Sequence, residues 1–499
     1  MQWVIRGYQQ KEKALRPAIR FLDNELVEKI LNEARELLCT LGVEIHNRTA
    51  LSVLADHSAR VDMAKQRAFF TREIIDKTLK TAPHSLTLYD VNGAPALVLS
   101  GSNVNFTPGS AAINILDYES DTIRKPTTAD YVTYAKLMTG MNHIASQSTA
   151  MIPADVHEMI SDSYRLYLSL LYCEKPIVTG AFTSQAFEIM KEMQIAVRGS
   201  KEVLAAKPLT IFSCCPTSPI KWSDVTSQNV IDCARYSIPV EFISMPLSGF
   251  MAPVTLVGSL IQHTAETLSG IAISQTSNPG APILYGGSPA IFDIRYETTP
   301  MGAVETMMMD CAYAEIGKHI GLPTQAYIGL SDSKMLDAQA GLESSMGATL
   351  AALAGINNIS GPGMLDFESC FSLEKLILDN EICGMALRLI QGIAPKEDFP
   401  SLPRFEELLK DKHLLISKHT RRYLKEEIHF PGPAIDRANR SRWQEEGSLT
   451  LKERARIELK AILSKYEPVN LSEEIRKELS GLMTAESRRF GMAKLPELR

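Results

Sequence analysis

Eight short apolar segments, each followed by a segment with helical periodicity, alternate along residues 103–392. Several of the apolar segments are nearly continuous apolar runs, which is typical of parallel strands covered on both faces. Eight strand–helix units close most naturally into a barrel, so the sequence predicts an α/β fold, a (β/α)8 TIM barrel. The pairs are Asn103–Phe106 with Thr127–Met141, His143–Ile152 with Val156–Cys173, Pro176–Phe182 with Ser184–Arg198, Pro208–Cys215 with Ser223–Tyr236, Pro239–Ser248 with Thr255–Thr276, Pro282–Gly287 with Ala303–Ile320, Thr324–Leu330 with Asp337–Ala354, and Asn357–Ser360 with Ser372–Gln391.

A doubly wound open sheet is the alternative arrangement of the same elements. It needs a phosphate-binding turn such as GxGxxG after an early strand, and the sequence has none there. Glycine follows several predicted helices, where a left-handed residue ends a helix at little cost. These positions are Gly199, Gly321, Gly355 and Gly392. The barrel is therefore the favoured prediction.

The segments on either side of the barrel have a different pattern. Residues 1–102 predict a helical and mixed extension packed on the barrel, with a hairpin over Ser85–Leu99 that turns at Asn92–Gly93. Residues 393–499 are charged and helical, and the run FPGP at 430–433 interrupts them. We expect three regions: the N-terminal extension, the catalytic barrel over 103–392, and a C-terminal helical extension that wraps the barrel or a partner subunit.

The bulk properties exclude several classes of function. A formal net charge of −6 gives no reason to expect nucleic-acid binding. No apolar run is long enough for a membrane span, and Met1–Arg20 lacks the apolar stretch of a signal peptide, so we expect a cytoplasmic protein. The eight cysteines include no CxxC pair, and the ten histidines form no zinc motif, so we expect free thiols and no metal site.

The carboxyl ends of the predicted strands define a candidate site wall, because TIM-barrel active sites lie at that end. The wall is rich in glycine, serine, threonine, methionine and aromatic residues, and it is nearly empty of charged residues. Its segments are 107–109, 147–149, 179–182, 213–216, 244–246, 285–288, 327–332 and 361–367.

Four aromatic residues at these strand ends are candidates for substrate binding: Phe182, Tyr285, Tyr327 and Phe367. A group of aromatic faces suits a quaternary ammonium ion, which cannot donate hydrogen bonds and is bound through cation–π attraction. The alternative is that these residues only pack over the barrel core.

Polar candidates are few. Ser331 and Asp332 follow the seventh strand, although an aspartate there is also common as a helix cap. Lys334 is a candidate Schiff-base lysine, with a solvated surface lysine as the simpler interpretation. Arg295 offers the fork that a carboxylate needs, or it is an exposed loop residue.

Three long runs resemble the trimethylamine methyltransferase family: YGGSPAIFDIRYETTPMGAVE (285–305), YIGLSDSKMLDAQAGLE (327–343) and ISGPGMLDFE (359–368). The resemblance covers most of the chain. It implies a TIM-barrel enzyme that moves a methyl group from a methylated amine to the cobalt of a corrinoid protein. Founding members of the family carry pyrrolysine, which this sequence lacks. It therefore resembles the branch that demethylates quaternary amines such as glycine betaine.

The resemblance also implies roles for the candidates. The aromatic residues would hold the trimethylammonium group, and Arg295 or the backbone of Gly286 and Gly287 would hold the carboxylate. Ser331 and Asp332, the predicted catalytic pair, would orient the head group. The cobalamin or other corrinoid would come with a partner protein, with no cofactor bound tightly here, and we expect a homo-oligomer.

Three alternatives remain open at the level of sequence. One is another betaine as substrate, such as carnitine, proline betaine or γ-butyrobetaine. The second is an aldolase-like barrel that uses Lys334. The third is a barrel that binds or senses quaternary amines without turnover.

Overall fold

The central element of the fold is a closed barrel of eight parallel strands, seen in a computed structural model that describes residues 14–497. Most of the segment assessed for a signal peptide, residues 1–13, lies outside the described residues. The barrel strands are β1 (Asn105–Thr107), β2 (Gln147–Ser148), β3 (Ile177–Thr179), β4 (Thr210–Cys214), β5 (Val240–Phe242), β6 (Ile283–Leu284), β7 (Gln325–Tyr327) and β8 (Asn358–Ser360).

Strand pairing closes the barrel. Strands β2 to β6 pair in parallel in chain order, and β7 pairs with β8, which pairs with β1. A parallel bridge between Tyr285 and Thr324 joins β6 to β7. The N–H of Ala145 donates to the carbonyl of Phe106 at 2.9 Å and joins the chain entering β2 to β1. The predicted TIM barrel is confirmed.

The barrel helices follow their strands as predicted. Ser184–Arg198 matches its predicted bounds, because Thr183 caps its start and Gly199, at φ 85°, ends it. The helices are α1 (Thr128–Met138), α2 (Ser161–Tyr172), α3 (Ser184–Arg198), α4 (Asp224–Tyr236), α5 (Leu256–Ser277), α6 (Val304–His319), α7 (Ala338–Ala354) and α8 (Leu373–Leu389), with a 3-10 turn at Glu158–Ile160 and a short helix at Lys201–Ala206.

A β-hairpin closes the amino-terminal end of the barrel. Strands Leu86–Tyr89 and Pro95–Leu99 pair antiparallel, and the turn between them contains Gly93 at φ 79°. This confirms the predicted hairpin. Its leucines pack against apolar side chains from inside the barrel, namely Val178, Ile211 and Leu284. The barrel therefore has an apolar floor.

The N-terminal region packs on one side of the barrel. Helices Asn24–Thr40 and Arg72–Thr81 lie against α5, which is almost wholly buried as a result. Strand Val43–Ile45 pairs in parallel with Lys221–Trp222, which comes from the barrel. The remaining elements of this region are helix Arg48–Asp56 and strands Arg60–Asp62 and Arg67–Phe69.

The C-terminal helices wrap the other side of the barrel. Helix Leu451–Ser464 packs on α8 and α1, and helix Glu473–Arg489 packs on α2 and α3. Leu459, Leu479 and Met483 are buried in these contacts. The preceding helices are Leu402–Asp411, Lys418–Glu427 and Arg440–Glu445. Within residues 14–497, no helix combines the length and apolar character needed to cross a bilayer. The three-domain division, the homo-oligomer and the cytoplasmic location stay predictions.

Small sheets at the carboxyl end of the barrel build its rim. One contains Asn114–Leu116, Ile123–Arg124, Met364–Leu365 and Cys370–Phe371, and so links the loops after β1 and β8. The other pairs Leu247–Ser248 with Ala290–Ile291 and links the loops after β5 and β6. These sheets fix the loops that surround the barrel mouth.

Candidate active site

A cavity of about 350 Å³ lies at the carboxyl ends of the barrel strands. This volume is at the small end of the range of about 300–1,000 Å³ that is usual for sites that bind small molecules. Many of the lining residues belong to the predicted wall segments. The lining consists of Ser110, Ala111, Thr149, Arg165, Thr179, Gly180, Ala181, Phe182, Ser213, Cys215, Thr226, Asn229, Ile243, Met245, Ser288, Tyr327 and Glu368.

Two of the four predicted aromatic residues line this cavity. Phe182 follows β3 and is 63% exposed, and Tyr327 ends β7 with its hydroxyl 2.9 Å from Oγ of Ser110. Tyr285 is instead buried between the barrel and its helices, where its hydroxyl donates to Oγ1 of Thr264. Phe367 also lies outside the lining, with the ammonium of Lys334 4.0 Å from its ring centre. Only Phe182 and Tyr327 are brought together.

Arg165, from the second turn of α2, is a cationic residue in the cavity wall. Its side chain is 1% exposed and pairs with Asp162 at 2.7 Å. It also donates to the carbonyl of Thr149 at 2.9 Å and lies 5.6 Å from the ring centre of Phe182. Asp162 in turn accepts from the N–H of Phe182. The arginine is thus fixed beside the aromatic ring at the end of β3.

Glu368 brings a carboxyl group to the same cavity. Its Oε1 is buried and has no hydrogen-bond partner among residues 14–497. Burial raises the pKa of Glu368 to about 8, which favours the neutral acid at pH 7. The carboxyl influences Tyr327 electrostatically. Glu368 is thus associated with Tyr327, which ends β7, whereas Arg165 lies beside Phe182, which follows β3. Strands β3 and β7 are on opposite sides of the eight-stranded barrel.

A polar layer lies in the barrel interior near the cavity. Glu241 of β5 accepts from Oγ of Ser213 at 2.8 Å and from Nδ2 of Asn358 at 3.1 Å. Burial raises its pKa to about 7. Oγ1 of Thr107 donates to Oδ1 of Asn358 at 2.9 Å. These bonds connect β1, β4, β5 and β8 and hold the strand ends that carry the lining residues.

Gly287 allows a histidine to approach the end of β6, and a Cβ on Gly286 would collide with Gln325. Nε2 of His263 bonds to the carbonyl of Gly286 at 3.0 Å, and a Cβ on Gly287 would lie 2.2 Å from that nitrogen. Burial lowers the pKa of His263 to about 3, so the ring is neutral. The N–H of Gly287 donates to Gln325. Packing explains both glycines, and the cavity lining begins one residue later at Ser288.

The predicted catalytic pair lies behind the wall. Oγ of Ser331 donates to Oε2 of Glu343 at 2.6 Å. Asp332 accepts from the N–H groups of Met301 and Gly302 at 2.9 and 2.8 Å, and so fixes the loop between β6 and α6. Both residues are buried and hold loops, and neither belongs to the cavity lining.

The other two charged candidates also lie outside the wall. The side chain of Arg295 is 76% exposed and pairs with Asp293 at 2.5 Å. Lys334 is 53% exposed and lies 3.6 Å from Asp366. This exposure favours the interpretation of Lys334 as a solvated surface lysine. It disfavours the aldolase alternative, which needs Lys334 as a Schiff-base lysine.

Because Asp332 is buried, we expect the free energy of unfolding to depend measurably on pH. Burial raises its pKa from an ordinary 3.8 to about 6. The native state therefore holds a proton there that the unfolded chain has lost, and stability falls as pH rises from about 4 to 6. We expect wild type to lose about 1 kcal/mol relative to Asp332→Asn between pH 5 and pH 7. Urea unfolding of both proteins at each pH measures this difference, and an unchanged difference would contradict the prediction.

Sequence reasoning missed Arg165 and Glu368. These two residues correct the expectation of an almost uncharged wall, because both line the cavity. Two signals were available. Arg165 and Asp162 form an i,i+3 charge pair at the start of a largely apolar helix, and barrel helices begin at the same end as the site. Glu368 directly follows the glycine-rich segment 361–367.

A closed (β/α)8 barrel with a small, partly charged cavity at its carboxyl end is the arrangement of a TIM-barrel enzyme that acts on a small molecule. Comparison with known sequences gives the family. The trimethylamine methyltransferase family model matches residues 6–491, and the chain belongs to this family. The protein is therefore a methyltransferase.

Two relatives match along nearly the whole chain. Glycine betaine methyltransferase of Desulfitobacterium hafniense is 31% identical over 96% of this chain and 99% of its own. Trimethylamine methyltransferase MttB of the same species is 28% identical over 95% of each. The solved monomethylamine methyltransferase of Methanosarcina barkeri is 11% identical, with a TM-score of 0.47 over 95% of this chain and 88% of that one. That similarity is weak, so the barrel assignment is based on the strand pairing.

Proposed function

We propose that this methyltransferase moves a methyl group from a quaternary amine, with glycine betaine as the first candidate, to the Co(I) centre of a corrinoid protein. The observation that carries the proposal is the presence of an arginine, a carboxyl group and two aromatic rings around one small cavity. Glycine betaine is a small zwitterion with a quaternary ammonium at one end and a carboxylate at the other. The cavity offers a complementary group for each end.

The basic side of the cavity suits the carboxylate. Arg165 is fixed by Asp162 and by the Thr149 carbonyl, so its guanidinium is held in place before a ligand arrives. A pre-positioned guanidinium is the preferred protein partner of a carboxylate. We therefore propose Arg165 for the role that the sequence suggested for Arg295, because Arg295 lies outside the wall.

The acidic and aromatic residues suit the ammonium group. The rings of Phe182 and Tyr327 offer π faces, and Glu368 offers a negative charge once ionised. The reaction breaks one C–N bond, whose electron pair stays on the nitrogen, while the two electrons of Co(I) form the new bond to the methyl group. The leaving group is a neutral tertiary amine, so the chain's residues need only bind the substrate, align one methyl group and exclude water.

Methyl transfer to cobalt tests the proposal directly. The protein is mixed anaerobically with Co(I) cobalamin and, separately, with a corrinoid protein encoded near its gene, against glycine betaine, other betaines and trimethylamine. We expect the absorbance of Co(I) to convert to that of methyl-Co(III) with one betaine. Betaine binding with no conversion by either acceptor would instead indicate a binding or sensing barrel.

A further inference from the structure

Among residues 14–497, the buried Oε1 of Glu368 has no hydrogen-bond partner. Building on the proposed function, we propose that Glu368 is the counter-charge of the substrate's quaternary ammonium group, and that binding of the cation drives a proton from Glu368 into solvent. Glu368 is then a specificity-determining residue for permanently charged amines.

The backbone around Glu368 is built to hold it in the cavity wall. Asp366, Phe367 and Glu368 have φ values of 51°, 54° and 70°, a left-handed run that residues with side chains seldom adopt. Such conformations persist only where surrounding contacts enforce them. Here the N–H of Asp366 donates to the carbonyl of Ser333 at 2.9 Å. The segment after β7, which contains the predicted catalytic pair, thus positions Glu368.

The N–H of Gly363 anchors the start of the same loop. It donates to Oδ2 of Asp379 at 2.6 Å, and Gly363 has φ 88°. Lys334 adds an ion contact with Asp366 and stacks its ammonium over Phe367. Phe367 and Lys334 therefore contact each other outside the cavity. Of the segment 366–368, only Glu368 lines the cavity.

The groups that face Glu368 do not neutralise it. Tyr327 from β7, Cys215 after β4 and Asp310 from α6 lie within its electrostatic influence, and burial keeps the pKa of each of the three above its ordinary value. Glu241 is engaged by Ser213 and Asn358. Arg165 lines the cavity but is paired with Asp162. Burial raises the pKa of Glu368.

The sign of the pH dependence follows from the chemistry of the ligand. A quaternary ammonium has no N–H, so the neutral carboxyl offers it little, whereas the carboxylate attracts it strongly. Binding therefore favours ionised Glu368 and releases its proton. With a free-state pKa of about 8, we expect affinity to rise about tenfold per pH unit below pH 8 and to level off above it.

Isothermal titration calorimetry with tetramethylammonium chloride tests this inference. This probe has a permanent charge and no carboxylate, so the result does not depend on which betaine is the substrate. At pH 6.5, titrations in phosphate and in Bis-Tris give the number of protons released from the buffer dependence of the enthalpy. We expect wild type and the control Glu305→Gln, an exposed acid at the start of α6, to release about one proton.

Glu368→Gln mimics the protonated acid and should release no proton. Its affinity should be independent of pH, lower than that of wild type already at pH 6.5, and at least about 100-fold lower than that of wild type at pH 9. Equal proton release by wild type and Glu368→Gln, no release by wild type, or no binding of the probe would overturn the inference. Methyl transfer from a betaine tests the proposed function separately, since either result can fail while the other holds.

Discussion

Replacing Arg165 by methionine is expected to weaken glycine betaine binding about 30- to 150-fold. Of the five N–H groups of an arginine, three donate to Ser161, Thr149 and Asp162, and five minus three leaves two for a ligand. Loss of charged hydrogen bonds to a carboxylate costs about 2–3 kcal/mol, which corresponds to that change in Kd. Calorimetry gives the Kd, and methyl-transfer kinetics should show the loss mainly in KM.

A ligand without a carboxylate is the matched control for this variant. Arg165→Met also removes the partner of Asp162 and so costs stability, but tetramethylammonium needs no guanidinium. Its affinity should change less than about threefold if the fold of the cavity is intact. Arg165→Lys retains the charge without the planar fork, and it should fall between wild type and Arg165→Met. Equal weakening of both ligands in Arg165→Met would show that Arg165 only supports the structure of the wall.

The barrel was predictable because the sequence signals for its strands and helices are local. Each strand is a short apolar run between turn-forming residues, and each helix shows its own cap and end, as Thr183 and Gly199 do for α3. The strand count then leaves few ways to close the sheet. The floor hairpin was predictable from Asn92–Gly93, since this dipeptide favours a turn between two strands. In the structure the connection is longer than a two-residue turn and comprises residues 90–94.

The direction of single side chains was less predictable, as Tyr285 shows. Leu284 of β6 faces the floor of the barrel with Val178 and Ile211. Side chains alternate along a strand, so Tyr285 points to the outer layer, where it meets Thr264 and Tyr313. A shift of one residue in the expected register reverses this assignment, and periodicity alone does not fix register at a strand of two residues.

The charged site residues depended on contacts between distant segments. Arg165 reaches the cavity from a helix, whereas the strand-end rule considers only the residues after each strand. Glu368 faces the cavity because its loop adopts left-handed backbone angles and is bonded to the segment after β7. Neither the loop conformation nor those bonds follow from local sequence. The same loops explain why Ser331 and Asp332, although placed at the mouth by sequence, act behind the wall.

Replacing Lys375 by methionine is expected to destabilise the protein by about 3–5 kcal/mol. The side chains of Lys375 and Asp379 are 0% and 2% exposed, and Nζ lies 2.5 Å from Oδ2. Removal of one partner from a buried pair leaves an uncompensated charge, which accounts for a loss of this size. Burial already raises the pKa of Asp379 against the opposing effect of Lys375. The loss in the variant should therefore shrink at low pH, where Asp379 gains a proton.

The double variant Lys375→Met, Asp379→Asn separates charge from packing. Asparagine at 379 retains an oxygen that can accept from the N–H of Gly363, the bond that anchors the loop of Glu368. Because both charges are then absent, we expect the double variant to recover most of the free energy of unfolding, measured with urea at pH 7. Two outcomes would contradict the prediction: a double variant no more stable than Lys375→Met, or a loss of less than about 1 kcal/mol in Lys375→Met itself. Either would show that Lys375 does not stabilise the protein by compensating the buried charge of Asp379.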